Sequence, residues 1–262
     1  MIKASIIVPC FNQAEYLDEC LQSVLDQTFQ DWECIVVNDG SSDNTDEIAK
    51  NWLEKDNRFK YFYQENAGLS AARNKGIENA NGEFILPLDA DDKISKNYCK
   101  LAIEEFENDS ELKVVYCEAE RFGFVSGKWN LPVFSLLNLT TTNQFFCSAF
   151  FRKTEWSKVN GYDVNLIYGW EDWDFWIAIL KENGKVKQIK ELCFFYRTKQ
   201  RSMVKNMTQE NYDFSNNYIA RKHIEFFLKN YNQLNLEVKK MKSKKHVFNL
   251  FTKTFFGFSI FN

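Results

Sequence analysis

Phe84-Ile-Leu-Pro-Leu-Asp-Ala-Asp-Asp92 is a short apolar run that ends in three carboxylates within four positions. The run reads as a buried strand. The carboxylates cannot follow it into the core, because burying uncompensated charge is too costly. The strand therefore emerges into a charged site at its carboxyl end. Asp89 and Asp91 lie two apart, so an extended or tightly turning backbone can bring both toward one hard divalent cation, with water and phosphate oxygens completing its shell. The alternative is an acidic turn that caps a helix starting near Ser95, since Asp is a common cap and turn residue.

Upstream, Ser5 to Pro9 is a continuous apolar strand that leaves the sheet at Pro9 to Asn12, and Trp32 to Val37 is a second that ends in the turn Asn38-Asp-Gly-Ser-Ser42. Phe59 to Tyr63 is a third. Between them, Leu17, Leu21, Val24 and Leu25, then Ile48, Ala49, Trp52 and Leu53, recur at helical spacing, and Ala67 to Ala80 is a further helix. Apolar strands alternating with helices predict an α/β, Rossmann-like, mostly parallel central sheet with helices on both faces. In such sheets ligands gather at the carboxyl ends of the strands. That places Pro9 to Asn12, Asn38 to Ser41, Glu65 to Gly68 and Asp89 to Asp91 along one edge.

Downstream, Lys96 to Asn108 reads as a helix, Val114 to Glu118 as a strand and Arg121 to Trp129 as irregular or edge structure, while Leu131 to Thr142 carries no legible period. Trp173, Trp176, Ile177 and Leu180 form a helical stripe that puts Glu171 and Asp172 in a first turn. Acidic residues there offset the helix dipole by ~0.3 to 1 kcal/mol and need no other purpose. Their aromatic surround nevertheless raises a carboxylate pKa toward the range of a general base. Lys185 to Arg197 is a strand pair or one long strand, and Arg197-Thr-Lys199-Gln-Arg201-Ser202 is either a basic run suited to a diphosphate or a solvated loop. From Gln209 to Asn230, Tyr212, Ile219 and Phe226 recur every seven residues, which predicts a helix packed on the core or on a copy of itself. Lys239 to Asn262 joins a lysine cluster to an aromatic stripe, a pattern suited to an anionic membrane surface, to the domain itself or to a partner.

Composition sets the outer bounds. With 262 residues and 45% hydrophobic content the chain is globular, and a net charge of -3 argues against a nucleic-acid binder. The charge is uneven: from Lys205 onward there are ten Lys/Arg against four Asp/Glu. Seven widely spaced cysteines without a Cys-x-x-Cys fit reduced, buried thiols, and two histidines make a zinc site improbable. No basic-then-apolar leader and no apolar run of ~18 residues is visible, so the expectation is a cytoplasmic protein, peripheral at the inner face of the membrane if the tail binds there.

Five motifs, in order, resemble the inverting glycosyltransferases of family 2 with the type A glycosyltransferase fold: Ser5-Ile-Ile-Val-Pro-Cys-Phe-Asn12, Val37-Asn-Asp-Gly-Ser-Ser-Asp43, Asn66-Ala-Gly-Leu-Ser-Ala-Ala-Arg-Asn74, Leu88-Asp-Ala-Asp-Asp92 and Trp170-Glu-Asp172. The resemblance covers roughly Ala4 to Ser202. It implies a catalytic domain over 1–204, with a nucleotide-sugar half to about 110 and an acceptor half beyond it, and a basic, aromatic helical extension over 205–262. It implies nucleotide-sugar contacts from Pro9, Phe11, Asn12, Asp39, Asn66, Arg73, Asp89, Ala90, Asp91 and Arg197, with Asp39 on the base. It further implies a Mn²⁺ or Mg²⁺ cofactor at Asp91 and Asp89, and Asp172 as the base that deprotonates the acceptor hydroxyl, with Glu171 as its competitor. The implied activity moves one hexosyl or N-acetylhexosaminyl group from a nucleotide sugar, a UDP-sugar by preference, to a saccharide or lipid-linked saccharide acceptor in surface polysaccharide synthesis.

Two departures stand out: Asn38 occupies a position where the family often has Asp, and Tyr196-Arg197 is not followed by the family's His and spaced serines. The rival classes are a nucleotidyltransferase, for which Pro9 to Asn12 lacks the glycine-rich basic phosphate loop, and a non-catalytic sugar-nucleotide-binding protein. A homodimer is compatible with either a catalyst or a sensor.

Overall fold

The computed structural model describes residues 2–182, 184–200 and 207–243, together with 245 and 249. The first half alternates as the apolar runs dictate: β1 (Ala4–Cys10), α1 (Ala14–Leu25), β2 (Trp32–Asp39), α2 (Thr45–Lys55), β3 (Phe59–Gln64), α3 (Leu69–Glu78) and β4 (Phe84–Pro87). Every residue of β1, β2 and β4 is buried, which is why these strands are mostly apolar rather than alternating, and the buried Glu33 of β2 is met by Ser5 Oγ of β1 at 2.6 Å. Helix α3 comes so close to the sheet that a Cβ added at Gly76 would stand 2.4 Å from Ile7 Cγ2.

The second half holds β5 (Lys93–Ile94), α4 (Tyr98–Asn108), β6 (Leu112–Gly123), β7 (Gly127–Trp129), α5 (Leu136–Leu139), β8 (Phe150–Arg152), α6 (Lys153–Lys158), α7 (Glu171–Leu180) and β9 (Lys185–Thr198). The strands form one sheet in the order β3-β2-β1-β4-β8-β6-β9-β5, with β7 on β6. The four strands from β3 to β4 pair in parallel, as expected. Beyond β4 the sheet is mixed: β8 lies antiparallel to both β4 and β6, β9 is parallel to β6, and β5 is antiparallel to β9. Antiparallel pairs need no crossover helix, so the sequence of this half carries no βαβ rhythm to announce them.

Three expectations need correction. The helix near Ser95 begins at Tyr98, after the short strand β5, and Asp92 does not cap it: its Oδ1 accepts a hydrogen bond from the backbone N–H of Arg197 at 2.7 Å. Of the two readings for Arg121 to Trp129, irregular does not hold for most of it, since Arg121 to Gly123 prolongs β6, and edge structure fits Gly127 to Trp129, the strand β7 that pairs with β6. The helix drawn over Gln209 to Asn230 is two, α8 (Gln209–Lys222) and α9 (Ile224–Lys242), broken at His223. The break is held from outside, since the His223 imidazole Nε2 lies 2.9 Å from Asp174 Oδ1. Of the heptad, Ile219 and Phe226 join the core while Tyr212 remains exposed. All seven cysteines are free thiols and six are buried. Arg201 and Ser202, and residues 244, 246–248 and 250–262 of the basic, aromatic tail, lie outside the described residues.

Candidate active site

The carboxyl ends of β1, β2, β3 and β4 open on one cleft of about 990 Å³. Pro9, Phe11, Asp39, Asn66, Arg73, Asp89, Ala90, Asp91, Glu171 and Asp172 all line it. The convergence follows from the parallel half of the sheet, where strands of one polarity deliver their exit loops to one edge.

Asp39, the last residue of β2, is almost fully buried. Its carboxylate accepts hydrogen bonds from Gln64 Nε2 (2.7 Å) and from the backbone N–H groups of Ala67 (2.8 Å) and Gly68 (2.9 Å), and so fixes the loop that carries Asn66. Gly40 is required beside it: its φ is +74°, and a Cβ there would stand 2.7 Å from Asn66 N. Asn38, the departure noted in the sequence, is also buried: it donates from Nδ2 to Tyr61 Oη (3.0 Å) and accepts the Ser41 N–H (2.9 Å), so it shapes the turn. Asn12 is not among the lining residues. Its Oδ1 accepts the Ser42 N–H at 2.8 Å and stitches the first two loops together.

Arg73, on α3, is the buried hinge of the site. Its two terminal nitrogens donate to different carboxylates, Nη1 to Glu171 Oε1 at 2.5 Å and Nη2 to Asp89 Oδ1 at 2.7 Å. One guanidinium on α3 thus joins the end of β4 to the start of α7, with Glu171 98 residues beyond Arg73 in the sequence.

Around Asp89 the negative charge is dense. Burial and the neighbouring Asp89 hold the Asp91 carboxyl above its usual range, against the pull of Lys199, whose ammonium lies 2.6 Å from Asp91 Oδ2. Burial, Asp91 and Asp89 push Asp92 well above that range, and its Oδ2 has no hydrogen-bond partner among the described residues. Lys199 lines the cleft, as Arg73 does. Arg197, assigned by resemblance to the nucleotide sugar, is instead turned away from the lining: its Nε donates to the Asp91 carbonyl at 2.8 Å, it pairs with Glu19, and it stacks on Phe122 (4.3 Å) and Tyr16 (4.6 Å).

At the other end Asp172 has no direct cationic partner among the described residues. Its Oδ2 accepts from Asn143 Nδ2 at 2.8 Å and its Oδ1 from the Trp173 N–H at 2.8 Å. Burial and the adjacent Glu171 raise its pKa to about 7, with Arg73, Asn143 and the Trp173 N–H opposing. Trp170, just before α7, has φ +70°, a left-handed backbone that a bulky side chain adopts only under constraint. Asn143 escaped the sequence reading, because nothing in an irregular segment reports a contact 29 residues away. Lys199 was visible only as one member of a basic run. The region 131–142, illegible in the sequence, supplies Leu131, Pro132, Thr141 and Thr142 to the cleft wall.

The parallel half of the sheet thus opens on a cleft with a buried Arg-carboxylate bridge, an acidic patch at Asp89 to Asp92 and, at Asp172, a carboxyl raised to about 7. The description "Glycosyl transferase family 2" matches residues 5–160, more than half of the chain, and the chain belongs to that family. It is 43% identical over 116 residues to the putative glycosyltransferase EpsH of Bacillus subtilis, covering 44% of this chain and 34% of EpsH. It is 30% identical over 194 residues to the chondroitin synthase of Pasteurella multocida, covering 72% of this chain and 20% of the synthase. The chain thus spans about a third or less of the length of these relatives. Among solved structures, Staphylococcus aureus TarS 1-349 in complex with UDP superposes with a TM-score of 0.69 at 22% identity, over 84% of this chain and 64% of TarS, which shows the shared fold.

Proposed function

We propose that this chain is a metal-dependent inverting glycosyltransferase that moves a single sugar from a UDP-sugar to a hydroxyl of a saccharide or glycolipid acceptor in surface polysaccharide assembly. The observation that carries the reading is that one cleft holds Asp89, Asp91 and Lys199 together with a buried Asp172 whose pKa is raised to about 7. Family membership supports glycosyl transfer, the chondroitin synthase relative supports polysaccharide as product class, and the UDP and UDP-GlcNAc complexes of TarS support the donor class.

The residues present fit a divalent cation. Among the described residues no three His, Cys, Asp or Glu side chains gather to hold a metal by themselves. Asp91 and Asp89 present two hard carboxylates in a patch whose mutual repulsion already lifts Asp91, so they would hold Mn²⁺ or Mg²⁺ together with donor phosphate oxygens. Such an ion offsets charge on the departing diphosphate. Lys199, now on Asp91, is placed to do the same for a phosphate oxygen.

Asp172 serves as base in preference to Glu171. Glu171 is committed to Arg73, whereas Asp172 meets only neutral donors and holds its pKa at about 7, where a base is half deprotonated near neutral pH. It takes the proton of the acceptor hydroxyl as that oxygen bonds the anomeric carbon. The bond from that carbon to the diphosphate oxygen breaks on the opposite face, its electron pair leaving with the nucleoside diphosphate, so the configuration inverts. Among the described residues no helix is long and apolar enough to cross a membrane. Peripheral attachment through the basic tail, at the cytoplasmic face, is part of the proposal.

Donor hydrolysis assays with Mn²⁺ across UDP-, GDP- and dTDP-sugars test the reading. Turnover of a UDP-sugar is expected. No turnover and no calorimetric binding of any of the three would reject it.

A further inference from the structure

The family match ends at residue 160, yet part of the cleft is built beyond it. Helix α8 belongs to the C-terminal extension, and Tyr212 and Asn216, one turn apart on it, line the cleft together with Trp170. The Tyr212 ring meets the Trp170 indole edge to face, with centroids 4.7 Å apart, and Trp170 packs in the same manner on Trp173. These contacts hold the left-handed backbone of Trp170 next to Glu171 and Asp172.

Helix α8 is also locked to the helix that carries the base. Lys222 Nζ lies 2.7 Å from both Asp163 Oδ2 and Asp174 Oδ2, and His223 Nε2 lies 2.9 Å from Asp174 Oδ1, with Asp174 and His223 both buried. Asp174 sits on α7, two residues past Asp172. Breaking a buried charged contact of this kind is costly, so the rotation of α8 about its axis is set and Tyr212 and Asn216 face the cleft by construction.

We propose that α8 forms the acceptor subsite and that its ligand is a pyranoside, with the apolar face of the sugar ring on Tyr212 and a ring hydroxyl on the Asn216 amide. The inference rests on the glycosyltransferase reading. An acceptor hydroxyl must reach Asp172, and the donor end is filled by Asp39, Asp89 and Asp91, so the acceptor ring comes from the side that Trp170 and Tyr212 border. Tyr212 is 44% exposed and so keeps open surface for a ring to cover. An aromatic face that is apolar, rigid and already ordered binds a sugar at low entropic cost. Asn216 Nδ2 donates to the Tyr212 carbonyl at 3.1 Å, and its Oδ1 has no partner among the described residues, leaving an acceptor for a hydroxyl.

Saturation-transfer difference NMR on the UDP-loaded protein, with the p-nitrophenyl β-glycosides of glucose, galactose and N-acetylglucosamine as probes, tests the subsite. At least one glycoside is expected to show saturation of its ring protons. Tyr212→Ala should weaken that signal by about fivefold to tenfold and Asn216→Ala by about threefold, while Tyr212→Phe keeps most of it. UDP affinity should be unchanged in all three variants, and the melting temperature in Tyr212→Phe and Asn216→Ala, which separates a lost subsite from a lost fold. A signal from Tyr212→Ala equal to wild type, or no ring-proton signal from wild type with any of the three probes, overturns the proposal. Failure of the wild-type protein to bind UDP would overturn the donor reading and this subsite with it.

Discussion

The two acidic ends of the cleft are built from the same residue types and treated in opposite ways. At Asp89 to Asp92 the charge is met by cations or strong donors: Arg73 on Asp89, Lys199 on Asp91 and the Arg197 N–H on Asp92. At Glu171 and Asp172 only Glu171 receives a cation, the far side of the same Arg73, and Asp172 is left with an amide and a backbone N–H. Burial beside other carboxylates raises Asp91 and Asp92 as it raises Asp172, which reaches about 7. The ends differ in their partners: direct cations sit on Asp89 and Asp91, and an amide and a backbone N–H on Asp172. On the proposed reading that difference in the ion-pair network, rather than residue type, separates a diphosphate-binding end from a base.

The comparison breaks most completely at Arg73. Arg73→Ala leaves Asp89 and Glu171 without their shared cation, and the expected loss is about 3 to 5 kcal/mol of stability, read by urea unfolding. A variant as stable as wild type would mean that the two ends are independent.

Asp172→Asn tests the base end alone. Transfer should fall by about 10² to 10⁴-fold while UDP affinity is kept. In the wild type, activity should fall as the pH drops through about 7, because protonation removes the base, and the variant's residual activity should lack that limb. Stability carries the opposite sign. A carboxyl raised in the folded state keeps a proton that the unfolded chain releases, so stability declines as pH rises from about 4 to about 7. Asp172→Asn should therefore melt higher than wild type at pH 8. A lower melting temperature there would contradict this account of the raised pKa.

The finest adjustment lies in the neighbours. Asn143→Ala removes a donor to the charged form and should move the acid limb to higher pH, slowing transfer at pH 6.5 by about threefold. Glu171→Gln removes the adjacent negative charge and should move the limb to lower pH. Coincident pH profiles for the two variants would show that neither group tunes Asp172.

Reading the sequence brought the strand-end carboxylates to one edge of the sheet but not the surroundings of Asp172, and particular residues show why. Asp39, Asp89 and Asp91 follow apolar strands directly, so strand polarity alone brings them together. Asp172 was legible as a first-turn carboxylate among aromatics. Its partner Asn143 was not, because it lies in an irregular segment whose side chains matter only for what they meet. The basic run did not say which of its cations lines the cleft: the end of β9 lays the Arg197 guanidinium on Phe122 and Tyr16, and Lys199 lines the cleft.

By itself the sequence determined the parallel half of the sheet, its exit loops and the carboxylates they carry, because burial on both faces demands continuous apolar strands and charge must appear where they end. Only the tertiary structure decided that one arginine serves both ends, that the second half of the sheet is mixed, and that the C-terminal extension returns to the cleft at Tyr212. Those outcomes depend on contacts between residues tens of positions apart, for which local period and composition hold no record.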